Sequence, residues 1–358
     1  MQRDALKQVK RLVVKVGTGV VTDHRKRPDP QQLGQLVDQL AAQHQAGREI
    51  VLVSSGAVGA GMGALEFDRR PAGLAELQAC AAVGQSRLMG LYGDLFARHD
   101  ITVAQVLLIH DDLRHHERHL NARNTLLALL DRGVLPIINE NDAVSVTELK
   151  FGDNDRLAAL VACLLPADLL VLLTTVDGLF QNFGEVDGQI IRRVTTIDRA
   201  LEQFAGGTTS ATAIGGMTTK IEAAKIATRA GIPLVIASGR KPTALQAILQ
   251  GDEEGTLFIP NLRKLRGRKR WIAFFHHPRG SLLVDDGARK ALREQGKSLL
   301  PPGILRCDGD FEAGEIVRVC DTDGTEFARG QVEFGADTIR ASQLKRVEII
   351  HRDNLVVL

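Results

Sequence analysis

A chain of 358 residues with 44% hydrophobic and 25% charged side chains has the balance of a globular protein with a sizeable core, and its length suggests two domains. A formal net charge of +2 gives no global argument for a nucleic-acid or membrane partner, and no apolar run is long enough for a signal peptide or a membrane span. Cys80, Cys163, Cys307 and Cys320 lack CxxC spacing and histidines at zinc-finger spacing, so reduced thiols in a cytoplasmic protein are expected.

In chain order, residues 12–16 form a buried-strand run that ends in Gly17-Thr18-Gly19. Leu33, Leu36, Val37 and Leu40 recur at helical spacing and predict a helix over 29–46, with Gly47 at its C-terminus. A second strand, 49–53, runs into the small-residue turn Ser54-Ser55-Gly56-Ala57-Val58-Gly59-Ala60-Gly61. Residues 74–97 read as a long helix whose Ala79, Ala81, Ala82 and Gly84 suit close packing. Strand 102–109, helix 119–132 and strand 134–138 follow, the last ending abruptly in Asn139-Glu140-Asn141-Asp142. A second polar knot, Gly152-Asp153-Asn154-Asp155, opens an apolar helix. Strand 169–173 closes in Thr174-Thr175-Val176-Asp177-Gly178, and Gly215-Gly216-Met217-Thr218-Thr219-Lys220 opens a helix over 221–230 before a last buried strand, 234–237. This alternation predicts an α/β fold with a mostly parallel sheet covered by helices on both faces.

Near residue 260 the texture changes. Residues 261–280 hold seven Lys/Arg and no acid, and short strand candidates follow at 281–284, 315–319, 330–332 and 354–358, with one helix at 288–295. The division expected is a catalytic domain over 1–260, a basic linker over 261–275, and a small β-rich domain over 276–358. The linker reads as a solvated hinge.

The two polar knots carry the chemistry. Amides and carboxylates gathered at a strand end and a helix start are where an open α/β sheet places ligands, and such groups suit a small zwitterion. The glycine turns at Gly17, Gly56 and Gly215-Gly216 let backbone N–H groups approach phosphate oxygens, although there is no Walker A sequence. Lys15 lies inside an apolar run, where an ammonium needs an anionic partner, and Lys220 follows the third turn. Lysines, glycine turns and acidic knots together point to phosphoryl transfer, which asks for positioning and charge neutralisation. His115 and His119 stand at i, i+4 but lack a third ligand, so an exposed polar helix is expected there and no metal site.

LVVKVGTG, VLVSSGAVGAG, LNARNTL, PIINENDAV, FGDNDRLAAL and GGMTTKIEAA resemble the successive motifs of the glutamate 5-kinase family, within the amino-acid kinase superfamily. SLLVDDGARKAL, GKSLLPPGI and GEIVRV resemble a PUA domain. The likeness is collinear from about residue 11 to the end, and INENDAV with GDND is its most specific part.

The resemblance implies a three-layer αβα sandwich that phosphorylates the γ-carboxylate of L-glutamate with ATP and Mg²⁺, opening proline synthesis. It implies that Lys15 and Lys220 stabilise the transferring phosphoryl group, that Asp155 orients them, and that Ser55, Asp142 and Asn154 bind glutamate. Gly17, Gly56, Gly215, Gly216, Met217, Thr218 and Thr219, with both lysines, would contact ATP phosphates, and Thr174 and Thr175 would lie against the nucleotide. Proline as a competing inhibitor and a homodimer or homotetramer are implied as well. Thr175 stands where the family carries aspartate, and Ala213-Ile214 where it carries Gly-Thr, so altered nucleotide affinity is expected. Two other readings remain open: a kinase of the same superfamily acting on another carboxylate, carbamate or phosphate, and an RNA-binding protein working through the C-terminal domain.

Overall fold

The computed structural model describes residues 2–25, 27–144, 154–181, 188–199, 201–202, 216–260, 269, 272–273, 278–341, 344 and 347–358. They fall into two units, Met1–Leu262 and Arg263–Leu358, each with its own sheet and core.

In the first unit, β1 (Arg11–Val16) pairs in parallel with β2 (Glu49–Val53). β3 (Val103–Leu108) and β4 (Leu135–Glu140) extend the sheet beyond β2, and β5 (Leu169–Thr174) joins the other side of β1. β6 (Phe180–Gln181) and β7 (Gln189–Ile190) make a separate antiparallel ribbon. With β8 (Arg193–Val194), β9 (Leu234–Ser238) and β10 (Thr256–Phe258) the strand order is β3-β4-β2-β1-β5-β9-β10-β8. All neighbours run parallel except β9 and β10. β1 and β5 flank the point where the chain changes side, the crevice in which such sheets hold ligands.

Strand periodicity divides β1 between the two faces. Leu12, Val14 and Val16 pack with Leu33, Leu36, Leu88 and Ile248, on the side of α2 (Pro30–Gln45) and α4 (Leu74–Ala97). Val13 and Lys15 therefore point to the opposite face, where α7 (Asn154–Leu164) lies on β1 and β5. Between these, α1 (Thr18–Val21), α3 (Ala57–Ala64), α5 (His110–Arg114) and α6 (His116–Asp131) follow strand ends, while α8 (Met217–Arg229) packs on α7. Local chemistry sets the boundaries. Asp29 caps α2 by accepting from the N–H groups of Gln31 and Gln32, and Gly47 leaves it at φ +82°. α3 and α4 meet at glycine: a Cβ on Gly84 would lie 1.8 Å from the Ala57 carbonyl oxygen, and one on Gly61 1.7 Å from that of Cys80.

The second unit is a five-stranded sheet in the order β12-β11-β13-β14-β15, made of β11 (Gly280–Val284), β12 (Ile304–Gly309), β13 (Ile316–Cys320), β14 (Glu326–Gln331) and β15 (Leu355–Val357). Leu282, Val317, Val319, Phe327 and Ile350 fill its core. Among the described residues, no helix is long and apolar enough to cross a membrane.

Two local expectations need correction. β4 does not stop at residue 138: Asn139 and Glu140 are its last residues, and both are buried. The helix around the histidines is not polar and exposed throughout, because His119 is buried with Nδ1 3.2 Å from the carbonyl oxygen of Leu113.

Candidate active site

At the end of β1, Lys15 reaches across to the start of α7, where its Nζ lies 2.6 Å from Asp155 Oδ1. Lys220, on the first turn of α8, places its Nζ 3.0 Å from Asp155 Oδ2. Thr219 Oγ1 bonds that same oxygen at 3.0 Å and the Gly216 carbonyl at 2.8 Å, which ties the helix start to the carboxylate. Asp155 is 0% exposed and each lysine 5%, so both ammonium groups and the carboxylate are withdrawn from bulk water. Burial alone would raise the Asp155 carboxyl; the charges of Lys15 and Lys220, with their hydrogen bonds, outweigh it and hold the group well below the usual carboxylate range.

One residue earlier the chemistry becomes neutral. Asn154 Nδ2 shares its two N–H groups among three acceptors, the Ser54 carbonyl, Ser55 Oγ at 3.1 Å and Asn139 Oδ1 at 2.9 Å. Asn139 Nδ2 donates in turn to Gln85 Oε1 at 2.8 Å. Ser54 Oγ lies 2.9 Å from Tyr92 Oη, and burial pushes the Tyr92 phenol up to about 12, against the opposing Ser54 hydrogen bond, so it stays neutral. Gln85 also lines a cleft of about 390 Å³, with Ser86, Met89, Glu140, Asn141 and Asp142. That volume suits a small ligand. Ser55 and Asn154 are thus in direct contact, and Asp142 lies in the adjoining cleft.

The glycine turns sit at helix starts without side-chain caps: Gly17 before α1, Gly56 (φ +103°) before α3, and Gly216 before α8. Met217 and Thr218 open α8; Met217 is half-buried and Thr218 exposed. Thr174 ends β5 with its carbonyl accepting from Gly239 N–H at 2.8 Å, and Thr175 is exposed beside Gly19, where a Cβ would meet its methyl at 2.9 Å. Gly215 and the departure at Ala213-Ile214 lie outside the described residues. Among the described residues, no three His, Cys, Asp or Glu side chains are grouped to hold a metal ion.

The amino acid kinase family model matches residues 10–238, and the PUA domain model residues 280–353. Glutamate 5-kinase of Geobacter sulfurreducens is 47% identical, covering 100% of both chains. The chain belongs to the glutamate 5-kinase family. Glutamate 5-kinase of Moorella thermoacetica is 46% identical over 99% of this chain and 98% of its own. Among solved structures, carbamate kinase from Giardia lamblia bound to AMP-PNP covers 71% of this chain and 100% of its own at a TM-score of 0.50 and 20% identity, a likeness of fold. Family membership bears out the resemblance carried by INENDAV and GDND, and the second unit contains the PUA domain.

For this family member, sequence reasoning passed over Gln85 and Tyr92, and named Ser54 and Asn139 only as members of the small-residue turn and the first polar knot, without individual roles. Asn139 was within reach, lying inside the INENDAV motif. Gln85 was not: a glutamine on a helix that also carries Gln78 has no local signature.

Proposed function

We propose that this chain transfers the γ-phosphoryl group of ATP to the side-chain carboxylate of L-glutamate, forming L-glutamyl 5-phosphate at the first step of proline synthesis. Membership of the family supplies the enzyme class, a phosphotransferase with a carboxyl group as acceptor. The observation that carries the reading is the convergence of Lys15 and Lys220 on the buried Asp155.

A triphosphate suits this end of the site. A Cβ at Gly17 would come within 3.9 Å of Lys15 Nζ and 3.5 Å of the Leu173 carbonyl oxygen, so glycine keeps open the space beside the ammonium that a phosphate oxygen would take. Lys15 and Lys220 would stabilise charge on the phosphoryl oxygens in transit, with Asp155 as the group that holds both in position. Mg²⁺ entering with ATP, held largely by the phosphates, would supply further charge neutralisation. Gly56 and the segment from Gly215 to Lys220 would border the phosphates, and Thr174 with Thr175 the nucleotide.

The acceptor needs no activation. A glutamate carboxylate has a reference pKa of about 4.3 and is ionised at neutral pH, so no general base is required. Its oxygen bonds to the γ-phosphorus as the bond to the β,γ-bridging oxygen breaks, and ADP departs. Ser55, Asn154 and Asp142 would hold the amino acid in line. The test is ATP-dependent acyl phosphate formation trapped with hydroxylamine. The expected result is γ-hydroxamate from L-glutamate and little from L-aspartate; no product from L-glutamate, or equal product from carbamate, overturns the reading.

A further inference from the structure

Gln85 is 8% exposed, on the wall of the cleft, and the direction of its hydrogen bonding can be deduced. The backbone N–H of Glu140 can only donate, and it meets Asn139 Oδ1 at 3.0 Å. Asn154 Nδ2, oriented by the carbonyl of Ser54, donates to the same oxygen. Asn139 must therefore turn its amide nitrogen to Gln85, and the atom that receives it is Gln85 Oε1. The Gln85 oxygen is thereby engaged, which leaves its Nε2 facing away from Asn139. Among the described residues, no group accepts from that nitrogen. Although the residue is largely buried, this nitrogen keeps contact with the water of the cleft, where a ligand carboxylate can take that water's place.

We propose that Gln85 recognises the α-carboxylate of L-glutamate, its side-chain N–H groups donating into the cleft that Asp142 also lines. The assignment rests on the reaction proposed above. The order of the hydrogen-bonded chain selects the α end. Asp155 marks the phosphoryl end, Asn154 is its neighbour, and Gln85 lies beyond Asn139, two hydrogen bonds from Asn154. The reacting γ-carboxylate belongs near Asn154 and the lysines, so the α-carboxylate falls to Gln85 and the α-ammonium to a cleft carboxylate. On the cleft wall Gln85 presents donors beside the carboxylates of Glu140 and Asp142, the complement of a zwitterion.

The experiment compares L-glutamate with its α-amide in the wild type, Gln85→Glu and Gln85→Ala, by hydroxamate trapping with ATP and acceptor varied separately. Gln85→Glu keeps an oxygen for Asn139 Nδ2 but replaces the cleft-facing donors by a carboxylate oxygen. Its KM for L-glutamate is expected to rise about 10- to 100-fold, the loss of a hydrogen bond to a charged group. KM for ATP should move less than about threefold, since the nucleotide end keeps its contacts. The kcat/KM preference for L-glutamate over the α-amide should fall at least about tenfold, because the new carboxylate accepts from the amide. Gln85→Ala, which keeps a good helix former, should shift the preference in the same direction by a smaller factor, and it decides the matter if Gln85→Glu does not fold. A wild-type preference in both variants, even with lowered kcat, reduces Gln85 to a support for Asn139 and overturns the proposal. A wild type silent with L-glutamate refutes the reaction instead.

Discussion

Where α7 begins, two adjacent residues organise regions of opposite character. Asp155 gathers charge: two lysine ammonium groups at 2.6 and 3.0 Å, all three side chains nearly or wholly buried. Asn154 gathers neutral dipoles: a serine hydroxyl, a carbonyl and the amide of Asn139, leading through Gln85 to the cleft. The charged region matches a substrate whose negative charge must be drawn in and spread over phosphoryl oxygens. The amide region matches a substrate told apart by the direction of its donors and acceptors, where misdirected groups are left unpaired. A single helix start serves both because Asn154 and Asp155 leave it toward different neighbours.

Asp155→Asn should break the charged region most severely. Removing one member of a buried ion pair costs about 3–5 kcal/mol, and kcat should fall by about 100-fold or more as the two ammonium groups lose their common anchor. The acid limb adds a second readout. The native Asp155 carboxyl is held below its unfolded value, so the stability it contributes is fully present above about pH 4, the unfolded range, and is lost as pH falls toward the lower native value. Denaturant unfolding between about pH 4 and pH 2 should show a shallower loss of stability in Asp155→Asn than in the wild type. An unchanged acid slope would contradict the pairing.

Tyr92→Phe should perturb the amide region far less. It removes the phenol that lies 2.9 Å from Ser54 Oγ, and the expected cost is about 1 kcal/mol in denaturant unfolding, with KM for L-glutamate raised less than about fivefold. A large fall in kcat from this change would mean that the two regions are not separable.

The central sheet was legible because strands buried on both faces must be continuous apolar runs, and residues 12–16, 49–53 and 169–173 all show them. Helix 74–97 and its small-residue stripe were legible too, and the stripe has a concrete reason in the approach of Gly84 to Ala57. β12 escaped notice because its residues are half-exposed without a clean alternation, and β8 because it has only two residues. Asn139 and Glu140 looked like a turn because polar residues usually face water; here they remain in β4 and are buried. Residue types showed that Lys15 in an apolar run demands an anion, whereas Asp155 as that anion followed only from the family resemblance. That Gln85 joins the amide web of Asn139 and Asn154 depends on which turn of α4 faces β4, a tertiary fact that no local pattern reports.

Steady-state kinetics of Lys220→Ala, with L-glutamate and ATP varied independently, test the separation of the two regions most directly. The expected result is a kcat reduced about 100- to 1,000-fold, with KM for L-glutamate within about threefold of the wild type, because Lys220 bonds Asp155 at the charged end. A kcat left intact with a large rise in KM for L-glutamate would place Lys220 in amino-acid binding and contradict the account.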